Sequence, residues 1–376
     1  MTNHIPFLDL KQLNAPYERE ISDAVSRVAL SGRYIVGPEV EAFENELARY
    51  QHSPHVVGVS NGLDALRLIM QGYIQMGQLS PGDEVIVPAN TYIASILAIS
   101  HARLKPVLVE PDPKTLNLDT SLIESAITPL TRAIMVVHLY GRVCWDERLV
   151  DIARRHNLLV IEDNAQGIGS RATVAGLHGG YMAGSLGHAA AFSFYPTKNL
   201  GAMGDAGAIA TNDTDLASTV RALANYGSDR RYHNIYQGHN CRLDPIQAAV
   251  LRIKLRGLDA DNNRRRHLAS LYAQLVDNPS VKLCLANPDV TTNYHQFIAL
   301  CDNRDDFRTH LHNAGIDTDI HYAVPPHLQP CYAAEFANCN LPVTEYLARR
   351  VVSLPIAPYL TDAHIHTIAA AINSLR

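Results

Sequence analysis

Seven short apolar runs, centred near Val56, Val85, Val107, Ile134, Val160, Phe192 and Ile209, alternate along the chain with stretches whose apolar residues recur at helical spacing. The runs are continuous, as strands buried on both faces require. Strands and helices alternating at this interval predict an α/β protein built on a mainly parallel seven-stranded sheet covered by helices. From about Arg252 the texture changes. A charged helical stretch, LRGLDADNNRRRHLASLYAQL, is followed by shorter strands such as HQFIAL and a closing helix from Thr361. This predicts a large domain over 1–251 and a smaller C-terminal α/β domain over 252–376, packed closely because no low-complexity linker separates them.

Two of the strands end in groups that carry chemistry. Leu158 to Ile161 closes in Glu162-Asp163, and Ala189 to Phe194 closes in a loop holding Pro196, Lys198, Asn199 and Gly201. Ligands of open α/β sheets bind outside the carboxyl ends of the strands, so Asp163 and Lys198 are expected to open into one crevice. A lysine there can condense with the aldehyde of pyridoxal 5′-phosphate. A carboxylate can keep that cofactor's ring nitrogen protonated. Taken singly, a lysine in a Gly-rich loop is ordinarily solvated and an aspartate at a strand end ordinarily caps a turn. A third element changes the balance: in VGVSNGLDALRLIM a strand over His55 to Val59 leads through Ser60, Asn61 and Gly62 into a helix, and such an N-terminus binds phosphate through its unpaired amides.

Composition narrows the alternatives. With 376 residues, 47% of them hydrophobic, the chain is long enough for one large and one smaller domain. Lys and Arg total 32 against 37 Asp and Glu, a formal net charge of −5, so no general basic surface is offered to nucleic acid and a phosphorylated ligand must be met by local groups. The N-terminus has no basic-then-apolar signal and no apolar run approaches membrane-spanning length, which predicts a soluble, cytoplasmic protein without a membrane partner. Six cysteines without C-x-x-C pairing read as reduced thiols. The pairs His310/His312 and His364/His366 lie two apart in helical patterns and so do not share a face, and no metal site is expected. The absence of G-x-G-x-x-G after an early strand argues against a dinucleotide-binding dehydrogenase.

The segments FLDLK at Phe7, SGRYIVGPEVEAFENELARY from Ser31, SNGLDAL from Ser60, GDEVIVPANTYIAS from Gly82, IEDNAQGIGS from Ile161, AAFSFYPTKNLGAMGDAGAI from Ala190 and HNCRLDPIQAA from His239 together resemble the DegT/DnrJ/EryC1/StrS family of sugar aminotransferases. The resemblance covers nearly the whole chain. PANTYIASILAIS, HLYG and IHYAVPPHLQ most resemble the members that aminate C3 of dTDP-3-keto-6-deoxyhexoses. A sister group of dehydratases carries histidine where Lys198 stands, so the lysine favours transamination. The departures are Arg33, His188, Cys241 in place of a frequent serine, and a slightly longer stretch from Gly176 to Ala183.

The resemblance implies a fold-type I homodimer with active sites at the subunit interface, using L-glutamate and a nucleotide sugar as substrates. It makes Lys198 the cofactor lysine and proton carrier, Asp163 the partner of the ring nitrogen, and Gln166, one helical turn on, the neighbour of the phenolic oxygen. Tyr92, on its own an ordinary strand-end aromatic, becomes the ring that stacks on the cofactor. Gly62 and Leu63 would give amides to the phosphate, Ser193 a hydroxyl, and Asn240 a contact from the partner subunit. Tyr34, Tyr195, Arg231, His321 and Tyr322 would surround the nucleotide sugar, with Arg231 reaching across the interface to the diphosphate. Amination at C4 of the sugar is the alternative activity. A catalytically silent regulator on the same fold is the alternative from another class.

Overall fold

The computed structural model describes residues 4–286 and 290–375. Three helices, α1 (Leu10–Asn14), α2 (Glu18–Ser31) and α3 (Pro38–Gln51), precede the first strand, β1 (His55–Val59). Then follow α4 (Gly62–Gln75), β2 (Glu84–Pro88), α5 (Ile93–His101), β3 (Lys105–Val109), α6 (Thr120–Ala126), β4 (Thr131–Val137), α7 (Glu147–Arg155), β5 (Leu159–Asp163), β6 (Ala189–Ser193), β7 (Gly207–Thr211) and α8 (Thr214–Ala224). Short polar caps start several of the helices: Asn61 accepts from the Asp64 amide ahead of α4, and Asp119, Asp146 and Asp213 do the same for α6, α7 and α8.

The seven expected strands form one sheet in the order β1-β7-β6-β5-β4-β2-β3. It is parallel except at β7, which runs antiparallel to both β1 and β6. Its carboxyl edge therefore collects the ends of β1, β2, β4, β5 and β6 on one side of the molecule. Helices α4, α5 and α8 bury one face in a cluster that includes Leu66, Ile69, Val85, Met135 and Ile161. The opposite face is covered by α3 and α9 (Pro245–Leu255) around Phe43, Phe192 and Leu251, and by α6 and α7 around Ile134, Ile152 and Val160.

A small hairpin, β8 (Ser228–Arg230) and β9 (His233–Asn234), precedes α9. The charged helix expected over LRGLDADNNRRRHLASLYAQL forms as α10 (Leu258–Leu275), starting after Gly257, and the preceding helix α9 ends at Leu255. The boundary expected at 251/252 thus falls inside α9, which packs on α2 and α3 of the first unit. Beyond it, β10 (Val281–Leu283), β11 (Phe297–Cys301), α11 (Arg304–Asn313), α12 (Pro342–Arg350), β12 (Val351–Leu354) and α13 (Asp362–Ser374) build a three-stranded antiparallel sheet with its own core around Tyr272, Phe297, Phe307 and Ile368. Ile5 joins that second core, its amide bonded to the Gly315 carbonyl at 2.8 Å, so the chain's start belongs with its end.

Candidate active site

Where the carboxyl edge of the large sheet meets the C-terminal unit there is a cavity of about 550 Å³, in the size range usual for small-molecule sites. Gly62, Leu63, Tyr92, Asp163, Gln166, Ser193, Tyr195, Lys198, His321 and Tyr322 all line it. Ten residues expected to act together therefore converge from five separate stretches of sequence. Tyr34, Arg231 and Asn240 do not line it; all three are exposed. Tyr34 gives its hydroxyl to the Ala29 carbonyl and Arg231 lies over the ring of its neighbour Tyr232. A second cleft of about 580 Å³ flanks β1, but its Arg221 and Glu44 are already paired at 2.9 Å and it holds no comparable lysine and carboxylate.

Asp163 is the last residue of β5 and only 6% exposed. Its carboxylate accepts from the Ser95 hydroxyl at 2.7 Å and from the Ala165 amide at 3.2 Å, and Ser95 is itself in contact with the Thr91 hydroxyl at 2.7 Å. These donors aim the carboxylate and leave it a lone pair for a ligand. Gln166 sits in a run of turns over 165–169, not one turn along a helix as the spacing had suggested. Its Oε1 accepts from the Tyr140 amide and its Nε2 donates to the Tyr322 hydroxyl at 3.2 Å. The ring of Tyr322 lies 5.0 Å from that of Tyr92, with burial raising the phenol's pKa.

Lys198 stands in the loop between β6 and β7, which is closed by bonds from Ala202 to Phe194 and from Phe194 to Ala206, each 2.8 Å. No hydrogen bond ties its Nζ to another described residue. Burial pulls the ammonium down to about 8 against the opposing pull of the Asp163 carboxylate. An unpaired amine with a pKa near neutrality is the form needed for nucleophilic and proton-transfer work.

At the other end of the cavity α4 begins. The amides of Asp64 and Ala65 are taken by the side chain and carbonyl of Asn61, whereas those of Gly62 and Leu63 make no hydrogen bond among the described residues. Ser193 lies directly beneath: a Cβ on Gly62 would come within 2.7 Å of the Ser193 Cβ, so only glycine lets the helix start this close to the hydroxyl. Asp64, which would repel an anion, is neutralised by Arg67 at 2.6 Å. The donor set fits a phosphate at one end, an aldehyde-bearing pyridine over Asp163, and an amine within reach.

Sequence reasoning missed several members of the site. Ser95, which orients Asp163, and His295 and Gln296, which line the cavity from the C-terminal unit, carry no spacing signal of their own. His321, whose Nδ1 lies 2.8 Å from the Ser353 hydroxyl, has its pKa lowered chiefly by burial. Phe7 packs against it at 5.9 Å between ring centres, a role FLDLK did not disclose. No group of three or more His, Cys, Asp or Glu among the described residues is arranged to hold a metal, and no described helix is long and apolar enough to cross a membrane.

The sequence profile of the DegT/DnrJ/EryC1/StrS aminotransferase family matches residues 16–373. The chain is 48% identical to the dTDP-3-amino-3,6-dideoxy-α-D-galactopyranose transaminase of Aneurinibacillus thermoaerophilus, over 98% of this chain and 99% of that one. Among solved structures it resembles Streptomyces venezuelae DesV in complex with a ketimine intermediate, at 46% identity and a TM-score of 0.92 over 98% of both chains. It also resembles NtdA from Bacillus subtilis with bound pyridoxamine phosphate, at 31% identity and a TM-score of 0.87 over 99% of this chain and 87% of that one.

Proposed function

Because the chain belongs to the DegT/DnrJ/EryC1/StrS aminotransferase family, we propose that its cavity moves an amino group from L-glutamate to C3 of a dTDP-linked 3-keto-6-deoxyhexose, giving a dTDP-3-amino-3,6-dideoxyhexose. The protein is an enzyme, and its cofactor is pyridoxal 5′-phosphate. The observation that carries the assignment is the convergence of Lys198, Asp163 and the unpaired Gly62 and Leu63 amides on one cavity. That same set counts against a catalytically silent regulator.

When bound, the cofactor supplies a ring that withdraws electrons from the carbon bearing the amino group, so that a proton on that carbon becomes removable. The chain's residues do the rest. Lys198 would hold the cofactor through its Nζ, and when free that amine would be the base that takes a proton from one carbon and returns it to another. Burial keeps a useful fraction of that amine unprotonated at neutral pH, since a shift from 10.5 to about 8 is roughly 3 kcal/mol in favour of the free base. Asp163, oriented by Ser95 and Ala165, would give its carboxylate to the ring nitrogen and keep it protonated. Gly62, Leu63 and Ser193 would hold the cofactor's phosphate, and Tyr92 and Gln166, which line the same cavity, would hold its ring and the ring's oxygen substituent. Tyr195, His321 and Tyr322, which line the same cavity, are assigned to the hexose.

Arg231, Asn240 and Tyr34 are assigned to the nucleotide sugar and the phosphate through a homodimer. The support is their exposed placement outside the cavity of their own chain, with exposed apolar side chains next in sequence to two of them, Ile35 and Val36 after Tyr34 and Tyr232 after Arg231. The protein is proposed to work in the cytoplasm.

The direct test offers 3-keto and 4-keto dTDP-sugars with glutamate and identifies the products by mass spectrometry. A 3-amino product from the first alone is expected. A 4-amino product would move the reaction to the neighbouring carbon.

A further inference from the structure

Tyr140 stands in the turn that follows β4, is 2% exposed, and has no part in the chemistry described so far. Each of its polar atoms holds a residue that lines the cavity. Its amide donates to Gln166 Oε1 at 2.5 Å, its carbonyl accepts from the Gln296 amide at 3.4 Å, and its hydroxyl donates to the His321 carbonyl at 2.5 Å. Gln166 follows β5 of the large sheet, whereas Gln296 and His321 belong to the C-terminal unit, so this one residue ties the two sides of the cavity together.

The turn itself is fixed. His138 Nδ1 accepts from the Cys144 amide at 3.1 Å, so its Nε2 donates to Glu162 at 2.8 Å. On the other side, a Cβ on Gly141, whose φ is +88°, would fall 1.8 Å from Asn293 Oδ1. Tyr140 has a φ of 62°, a left-handed backbone that a bulky side chain keeps only where its surroundings impose it.

These bonds also settle the direction of a proton. A backbone N–H only donates, so Gln166 turns Oε1 to Tyr140 and its Nε2, itself a donor only, to the Tyr322 hydroxyl at 3.2 Å. The Tyr322 oxygen accepts there, which leaves the phenolic proton for a different partner. Tyr322 lines the cavity, with its ring 5.0 Å from that of Tyr92, and its hydroxyl donates to no described residue.

We propose that Tyr140 is a positioning residue for the acceptor sugar: gripping Gln166 with its amide and the His321 carbonyl with its hydroxyl, it holds Tyr322 so that the phenol donates a hydrogen bond to an oxygen of the hexose. The inference rests on the assignment of Tyr322 to the hexose.

The test uses the holoenzyme and two readouts. In borohydride-reduced enzyme the cofactor is locked to the chain, and calorimetry reads the affinity for the dTDP-3-amino-3,6-dideoxyhexose without turnover. Tyr140→Phe keeps the amide and removes the hydroxyl; it should weaken that binding about fivefold, the scale of one neutral hydrogen bond. In stopped-flow, amination of the keto sugar by pyridoxamine-loaded enzyme should slow by a similar factor, with the glutamate half-reaction within about twofold of wild type. Tyr322→Phe should cost about tenfold in both sugar measurements, and adding Tyr140→Phe to it should cost little, because no phenolic proton is left to aim. Wild-type sugar affinity and rate in Tyr140→Phe, equal slowing of both half-reactions, or an equal cost with and without the Tyr322 hydroxyl would each overturn the proposal. A Tyr322→Phe enzyme that matches wild type toward the sugar would overturn the underlying assignment instead, and this inference with it.

Discussion

Asp163 can present its carboxylate only as well as its own donors hold it, and the structure names two: Ser95 Oγ at 2.7 Å and the Ala165 amide at 3.2 Å. Replacing Ser95 with alanine removes the shorter one and leaves Thr91 without its partner. A hydrogen bond to a charged group contributes about 1.5–3 kcal/mol. Because the Ala165 amide stays in place and water can enter from the cavity, the lower end applies. About 1.5 kcal/mol in the transition state corresponds to roughly tenfold in rate. Ser95→Ala should therefore slow both half-reactions in stopped-flow by about that factor, since the ring nitrogen is needed in each. A double-mutant cycle makes the test specific. Asp163→Asn alone should cost at least about a hundredfold, as loss of a central electrostatic partner does. Adding Ser95→Ala to it should then cost little, because no carboxylate is left to orient, giving a coupling energy of about 1 kcal/mol or more. Two results would refute the reasoning: Ser95→Ala rates within twofold of wild type, or an equal cost of Ser95→Ala with and without the carboxylate.

Subunits carrying Lys198→Ala, mixed with subunits carrying Asn240→Ala, should recover activity after exchange, because one site of each heterodimer is then intact; no recovery after proven exchange would put Asn240 in its own chain's site. His321→Asn or Tyr195→Phe should leave the glutamate half-reaction within a few-fold of wild type and slow amination of the keto sugar by about tenfold, the loss of roughly one hydrogen bond; equal slowing of both halves in stopped-flow would assign these residues to the cofactor instead. Lys254, buried with its Nζ on the Gly201 carbonyl at 2.6 Å and Asn14 at 2.9 Å, is pulled down to about 8 by desolvation. The unfolded chain binds more protons than the folded one between that value and about 10.4, so this lysine destabilises most below pH 8 and is relieved, by about 3 kcal/mol in all, as pH rises through the window. Urea unfolding of wild type and Lys254→Met from pH 7 to pH 10 should thus show the wild type gaining on the variant, and a pH-independent difference would count against it.

Much of the molecule was legible because its signals are local. An apolar run flanked by turn residues marks a strand wherever it pairs, and Asn61 caps α4 through contacts three residues long. Hence all seven strands, the closing helix after Thr361 and the placing of Asp163 and Lys198 at strand ends agree with the chain's own pattern. The direction of β7 was not legible: Gly207–Thr211 reads as one more buried strand, and only its pairing with β1 and β6 shows it to be antiparallel. The extent of α9 was not legible either: Pro245–Leu255 runs across 251/252, so the expected domain boundary landed inside a helix.

The sequence by itself determined which elements form and which two ends of strands carry an amine and a carboxylate, because periodicity and capping act between neighbours in the chain. Only the tertiary structure decided how those groups are armed. Ser95 meets Asp163 across 68 positions, and His295 meets the neighbour of Lys198 across 96. The lowered pKa of Lys198 comes from burial that no local pattern encodes. Contacts of that range depend on how layers stack and how the C-terminal unit closes against the sheet edge, and solvent exclusion, which sets the strength of every charge in the cavity, exists only once they have done so.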